Sequence, residues 1–209
     1  MKALEAGRTE DAIKIFSTLI AGEPRPEYFF YRGYAFSAQG MDGSAIQDFT
    51  KAIAAKPDEA VYYLQRGFAF QSTGMYEKAV EDFSKTLELN PDNKSAPGYR
   101  ARAYLNLGKV EEAYQDLIRA IELSPRDGDL YRLRGNVLSI AGRNDLAVKD
   151  FEQAIELKPN DAAAYNNCGV ALGHLRKRRE AKDYLVKAIE IATSIPSTVK
   201  IPGISGNAW

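Results

Sequence analysis

Apolar and polar positions along this chain recur at helical spacing, and the whole arrangement then repeats. Across residues 60–93, Tyr63, Phe70, Ala79, Val80, Phe83 and Leu87 fall at the three-, four- and seven-residue steps that put side chains on one helix face. Gly74 interrupts the pattern midway, ending one helix and opening the next. Pro91 cannot sit inside a helix and disfavours helix for Asn90 before it, so the second helix stops there. The same reading predicts first helices at about 27–39, 61–73, 96–107, 129–141 and 162–175. Second helices follow at about 9–21, 43–55, 77–89, 111–123, 145–157 and 178–193.

The repeat keeps its phase. A step of 34 residues carries Gly33 to Gly67, Ala101, Gly135 and Gly169. Twelve residues after each comes an alanine (Ala45, Ala79, Ala113, Ala147, Ala181), with Ala12 before them. Four residues further stand Phe16, Phe49, Phe83, Leu117, Phe151 and Leu185, and a proline closes the units at Pro24, Pro57, Pro91, Pro125 and Pro159. Small residues let two helix backbones approach, and the bulky side chain fills the space beside them. A single hairpin of this kind cannot bury its apolar face, so neighbours must stack. The order of landmarks resembles the tetratricopeptide repeat, and the resemblance covers residues 1 to about 194.

That resemblance implies an all-α fold, a right-handed superhelical solenoid of antiparallel helix pairs with five full units and one partial N-terminal unit. The expected domain is a single solenoid over residues 1–194, with units at about 1–25 (partial), 26–59, 60–93, 94–127, 128–161 and 162–195. Counting back from Gly33 leaves only Met1–Ala6 for the first helix of the first unit, which favours a fragment of a longer repeat protein over a frayed native terminus. A non-helical tail is expected at 196–209, where Pro196, Pro202, Gly203 and Gly206 forbid a long helix. Its Ile195, Val199, Ile201, Ile204 and Trp209 are apolar for a linker, so two readings stand: a loose end, or a segment covering the last helix or entering a neighbouring molecule's groove.

Charge narrows the partner classes. Lys plus Arg and Asp plus Glu both total 28, which gives no general attraction to nucleic acid or an anionic membrane. No apolar run is long enough to span a bilayer, and MKALEAGRTED carries no signal-peptide hydrophobic region. The compartment is therefore open, and cytoplasmic if Met1 is the native start. One cysteine, Cys168, and one histidine, His174, provide neither a disulfide nor a zinc site, and no cofactor motif is present. Six residues apart on one helix, the two point to different faces, so no nucleophile and base pair forms. The expectation is a protein that is not an enzyme.

Comparison among the repeats exposes a second pattern. Arg32, Arg66, Arg100 and Arg134 stand just before the small residue of their units. Sixteen residues after each comes Asp48, Asp82, Asp116 and Asp150, and the fifth unit replaces both members, with Cys168 and Tyr184. Joint loss favours pairing within a unit, so a ladder of structural ion pairs is expected; the plainer reading is solvated charge inherited by duplication.

Function is expected on the face that differs between units. In proteins with this repeat the first helices line a concave groove that holds a peptide or a partner's helix. Projected onto that face, the N-terminal half offers Phe30, Tyr31, Tyr34, Leu64, Gln65, Phe68 and Tyr99, either a partner patch or rings packed between adjacent first helices. The C-terminal half offers Arg102, Arg132, Asn136, Asn166 and Asn167, suited to an extended backbone and an acidic side chain, or ordinary surface polarity. Arg132, Asn136 and Asn167 match the start of a chaperone-tail carboxylate clamp, but no further unit completes it. Two irregularities complete the reading: Pro97 and Gly98 delay a helix expected to be capped by Ser95, and Arg176–Arg179 reads RKRR on a hairpin loop. The function expected is a non-catalytic module binding a protein or peptide. The alternatives are a scaffold self-assembling through tail and solenoid ends as a homo-oligomer, or an accessory domain of a larger enzyme.

Overall fold

Turn chemistry and close helix contacts set the architecture. The computed structural model describes residues 9–194. The expectations for the first helix remnant and the tail lie outside the described residues. Among those described there are eleven α-helices and no strand. They are α1 (Thr9–Gly22), α2 (Pro26–Ala38), α3 (Asp42–Ala55), α4 (Ala60–Ser72), α5 (Tyr76–Leu89), α6 (Ala96–Asn106), α7 (Val110–Leu123), α8 (Gly128–Ile140), α9 (Asn144–Leu157), α10 (Ala162–His174) and α11 (Arg178–Ser194). This is the all-α repeat of helix pairs, five complete and one represented by α1.

Each hairpin closes in one way. At the end of α4 the Gly74 amide donates to Gln71 and the Met75 amide to Phe70 at 2.8 Å, satisfying carbonyls that the helix end would orphan. This closure needs a left-handed residue, and Gly40, Gly74, Gly108 and Gly142 supply it with φ of 71–76°. In the last hairpin Arg176 takes the position, at φ 61°.

Contacts gather the chain, beyond its single repeats, into two compact units, called unit 1, ending at Pro125, and unit 2, beginning at Arg126. In the first, α1 to α7 stack in chain order, each helix packing on the next. Phe49, Phe83 and Leu117 are wholly buried. A Cβ built on Gly67 would lie 2.8 Å from the Phe83 ring, so only glycine fits against that phenyl group. Ala101 occupies the equivalent place opposite the smaller Leu117. In the second unit, α8 to α11 stack likewise. Phe151 is buried against Gly135, and a half-buried Leu185 packs against Gly169.

One expectation is corrected. Ser95 precedes α6 but makes no side-chain cap. Asn93 does that work, its Oδ1 accepting from the amides of Ser95 at 3.0 Å and Ala96 at 2.8 Å. A carboxamide two or three residues ahead reaches the free amides that a backbone already helical at Ser95 turns away from its own hydroxyl.

Candidate functional site

Behind the variable face lies a constant frame. Arg32 Nε and Nη2 donate to Asp48 at 2.7 and 2.8 Å, and Arg66 holds Asp82 with two bonds of 2.8 Å. Arg100 holds Asp116 at 2.7 and 2.6 Å, and Arg134 holds Asp150 at 2.7 Å twice. Each is a forked contact from a first helix to its own second helix. The aspartates are buried, and the guanidinium groups lie near rings: that of Arg66 is 5.8 Å from Tyr63 and 5.6 Å from Phe70. Hydrogen bonding to its aspartate raises Arg32, Arg66 and Arg100 above the ordinary arginine value. Burial pushes Asp82 upward, against the opposing pull of Arg66.

The frame also couples successive units, which the arginine and aspartate spacing alone does not disclose. Nη1 of Arg32, Arg66 and Arg100 donates to Ser17, Thr50 and Ser84 of the preceding second helix, at 3.1, 3.1 and 2.9 Å. These hydroxyls each follow the landmark aromatic Phe16, Phe49 or Phe83, a signal present in the sequence and legible once sought. In the last hairpin the three equivalent places hold Cys168, Tyr184 and Glu152. There Tyr184 Oη donates to Glu152 Oε1 at 3.0 Å.

The first-helix face of unit 1 is part core and part surface. Phe30 packs against Phe49 and Tyr62 with centroids 5.8 and 5.0 Å apart, and Tyr31 stacks on Phe16 at 5.5 Å. Phe68 meets Phe83 at 5.5 Å and Tyr99 edge-on at 4.5 Å, and Leu64 packs beside it on the same cluster. Gln65 is half-buried. Tyr34 and Tyr99 remain exposed at 45 and 39%, as does Arg102. The rings therefore form a floor, with Tyr99 packed edge-on at its surface and Tyr34 exposed beside it.

Unit 2 brings its asparagines together. Asn167 Nδ2 on α10 donates to Asn136 Oδ1 on α8 at 2.8 Å, and Asn166 Nδ2 reaches Asn167 Oδ1 at 3.3 Å. Arg132 belongs elsewhere. Its Nε lies 2.8 Å from Asp161 Oδ2, and its Nη2 is 3.3 Å from Asp129 Oδ1. Asp161 simultaneously caps α10, accepting from Ala163 and Ala164. Lys158 also pairs with Asp129. Burial would raise the Asp129 carboxyl, but hydrogen bonds from Lys158 and Arg132 together hold it below the usual carboxylate range. These residues, with Pro159 and Asn160, line an open recess of about 420 Å³. Arg132 thus spends its charge on this chain's own acids.

Neither lone candidate for chemistry is set up to react. Cys168 is fully buried, and burial pushes its thiol to about 12, far from the thiolate that acts as nucleophile. His174 is exposed at the end of α10. Among the described residues no cluster of three or more His, Cys, Asp or Glu could hold a metal, and no helix is long and apolar enough to cross a membrane.

Comparison with known proteins agrees with this architecture. Models of the tetratricopeptide repeat match residues 2–60, 60–93, 100–127 and 162–195, and a TPR repeat model matches 135–175. No curated protein matches by sequence. Among solved structures, a crystal structure of MamA is 27% identical with a TM-score of 0.75, covering 78% of this chain and 95% of that one. MamA from Desulfovibrio magneticus RS-1 is 18% identical with a TM-score of 0.76, covering 90 and 98%. YrrB, described as a TPR protein with an unusual peptide-binding site, is 24% identical with a TM-score of 0.74, covering 86 and 93%.

Proposed function

The chain belongs to the tetratricopeptide repeat proteins, and from that premise we propose that it is a non-catalytic module that binds a peptide or protein segment along its first-helix faces. One observation carries the reading: a uniform frame supports a face that changes from repeat to repeat. The ninth position of successive units runs Tyr34, Phe68, Arg102, Asn136 and Val170, while the arginine and aspartate behind it stay the same through four units. Structural demand alone would give the face the regularity of the frame. Tyr34 and Tyr99 offer rings of large area at low entropic cost, and the asparagine series offers amides that both donate and accept, as an extended peptide backbone requires. The even balance of charge, 28 against 28, favours a protein or peptide partner over nucleic acid.

Selection of binders from a random peptide library on the immobilised chain tests this. Tyr34→Ala and Asn167→Ala should each weaken the selected peptides without loss of helicity. Tyr34 is the cleaner probe in unit 1, because Phe68 also supports the core. Affinities unchanged by both substitutions would sink the reading.

A second reading, self-assembly, is favoured by α11. Ile53 and Ile121 are 9% exposed at one position of the repeat, whereas Ile189 at the same position is 63% exposed and Val186 beside it 44%. Light scattering across a concentration series, with Ile189→Glu as the comparison, decides it: an oligomer dissolved by the charge supports assembly, and a monomer throughout ends it.

A further inference from the structure

In unit 2 the asparagine pair continues, toward the hairpin tips, into a surface of different chemistry. Ile140 lies one turn beyond Asn136 on α8, and Val170 one turn beyond Asn166 on α10, so both follow the pair along the same faces. They are 65 and 48% exposed, and Leu175 at the end of α10 is 38% exposed. The loop then presents Arg176 and Lys177, and the start of α11 Arg178 and Arg179, all exposed.

The basic run is peculiar to this hairpin. The second helices of the other four complete units carry acids in the first turn: Asp42, Glu77, Glu111 with Glu112, and Asp145. In α11 the corresponding turn opens with Arg178 and Arg179, and its one acid, Glu180, pairs with Lys177 at 3.5 Å. Among the described residues no carboxylate pairs with Arg176, Arg178 or Arg179. Unlike Arg132, these guanidinium groups keep their charge available to a partner.

We infer that this end of unit 2 recognises an acidic peptide segment, with an aliphatic side chain seated against Ile140 and Val170 and carboxylates following it onto Arg176, Arg178 and Arg179. The inference rests on the reading of the first-helix face as a peptide groove, and adds the chemistry and direction of its occupant. Charge complementarity selects the occupant. The chain's own residues 195–209 contain no Asp or Glu and include Lys200, so they do not supply it. An anionic membrane or nucleic acid would be drawn by charge alone, without use for aliphatic side chains placed on the groove side of the loop.

Fluorescence anisotropy tests it on the full chain with three synthetic peptides. One carries Leu-Ile followed by Asp-Glu-Glu-Asp; the second has Asn and Gln in place of the acids; the third has Ser-Ser in place of Leu-Ile. The first should bind tightest, lose about tenfold with the double substitution Arg178→Gln and Arg179→Gln, and lose its salt dependence there. Ile140→Ser should weaken the first peptide while leaving the third unchanged. Equal binding of the first two peptides, or no effect of the double substitution, overturns the inference. If Asn167→Ala still weakens peptides selected from the library, the groove reading stands although this one has failed. Binding to phosphatidylserine vesicles or a single-stranded oligonucleotide in preference to the first peptide also overturns it.

Discussion

Tyr184 donates its phenol to Glu152 at 3.0 Å, and in doing so bridges from α11 to α9 between the places where other repeats hold an aspartate and a hydroxyl. Burial raises the Tyr184 phenol above its ordinary 10.0, and the bond to Glu152 raises it further. A group raised on folding contributes stability that is complete below its unfolded value and is lost as pH climbs through the folded one. Tyr184→Phe should therefore cost about 1 kcal/mol at neutral pH. In urea denaturation the gap between the two proteins should stay constant up to about pH 10 and narrow above it. A gap that widens with alkali would contradict the bond.

Arg100, Asp116 and Ser84 form the corresponding set in unit 1, and its members are unequal. Asp116 is buried and held by two bonds, so Asp116→Ala strands a half-buried guanidinium and should cost about 3 kcal/mol. Ser84→Ala removes one bond of 2.9 Å and should cost about 1 kcal/mol. A double-mutant cycle between Arg100 and Asp116 by urea denaturation should give a coupling above about 1 kcal/mol. Additive losses would mean the contact holds nothing together.

Gly135 is indispensable only while Phe151 faces it. A Cβ there would stand 2.5 Å from the ring, so Gly135→Ala should destabilise by about 1–3 kcal/mol despite alanine's higher helix propensity. Phe151→Leu alone should also destabilise, by leaving space. Combined, they recreate the pairing of Ala101 with Leu117, and the double variant should recover much of the loss, as thermal melting would record.

How much could be read beforehand follows from what the repeat constrains. Gly67 and Phe83 are fixed by one close contact, and Gly74 by one backbone conformation, so their spacing gives the helices to within a residue or two. Arg66 and Asp82 are legible for the same reason: both recur together, and both vanish together. The face resists such reading because each of its residues occurs once. Nothing in the sequence distinguishes Phe30, turned onto Phe49 and Tyr62, from Tyr34, turned outward, since the difference lies in a small rotation about one helix axis. Nor does the sequence tell that Arg132 meets Asp161, 29 residues away: the acid recurs as Asp127, but the places equivalent to Arg132 hold Phe30, Leu64, Gly98 and Asn166, so no repeated pair marks the contact.

Cys168 should be inert in the native state. With its thiol buried and raised to about 12, almost no thiolate exists at neutral pH. Reaction with a chromogenic disulfide should proceed only as the chain opens, with a rate that rises with added urea in step with unfolding. Fast labelling in plain buffer would show that α10 and α11 separate locally.

Arg176 adopts φ 61° where four other hairpins place glycine. A left-handed residue bearing a Cβ costs about 1–2 kcal/mol, whereas glycine restores the conformation at the expense of a more disordered unfolded chain, roughly 0.5–1 kcal/mol. The first exceeds the second, so Arg176→Gly should stabilise by up to about 1 kcal/mol in urea denaturation. The reverse exchange, Gly142→Arg, should destabilise by a similar amount, because the α8 hairpin closes through the same pair of backbone bonds, from Gly142 to Ser139 and from Arg143 to Leu138. If Arg176→Gly destabilises instead, the guanidinium contributes more to the folded state than its backbone strain removes. A stabilised variant with weakened affinity for the acidic peptide would place Arg176 among residues kept for binding at the expense of stability.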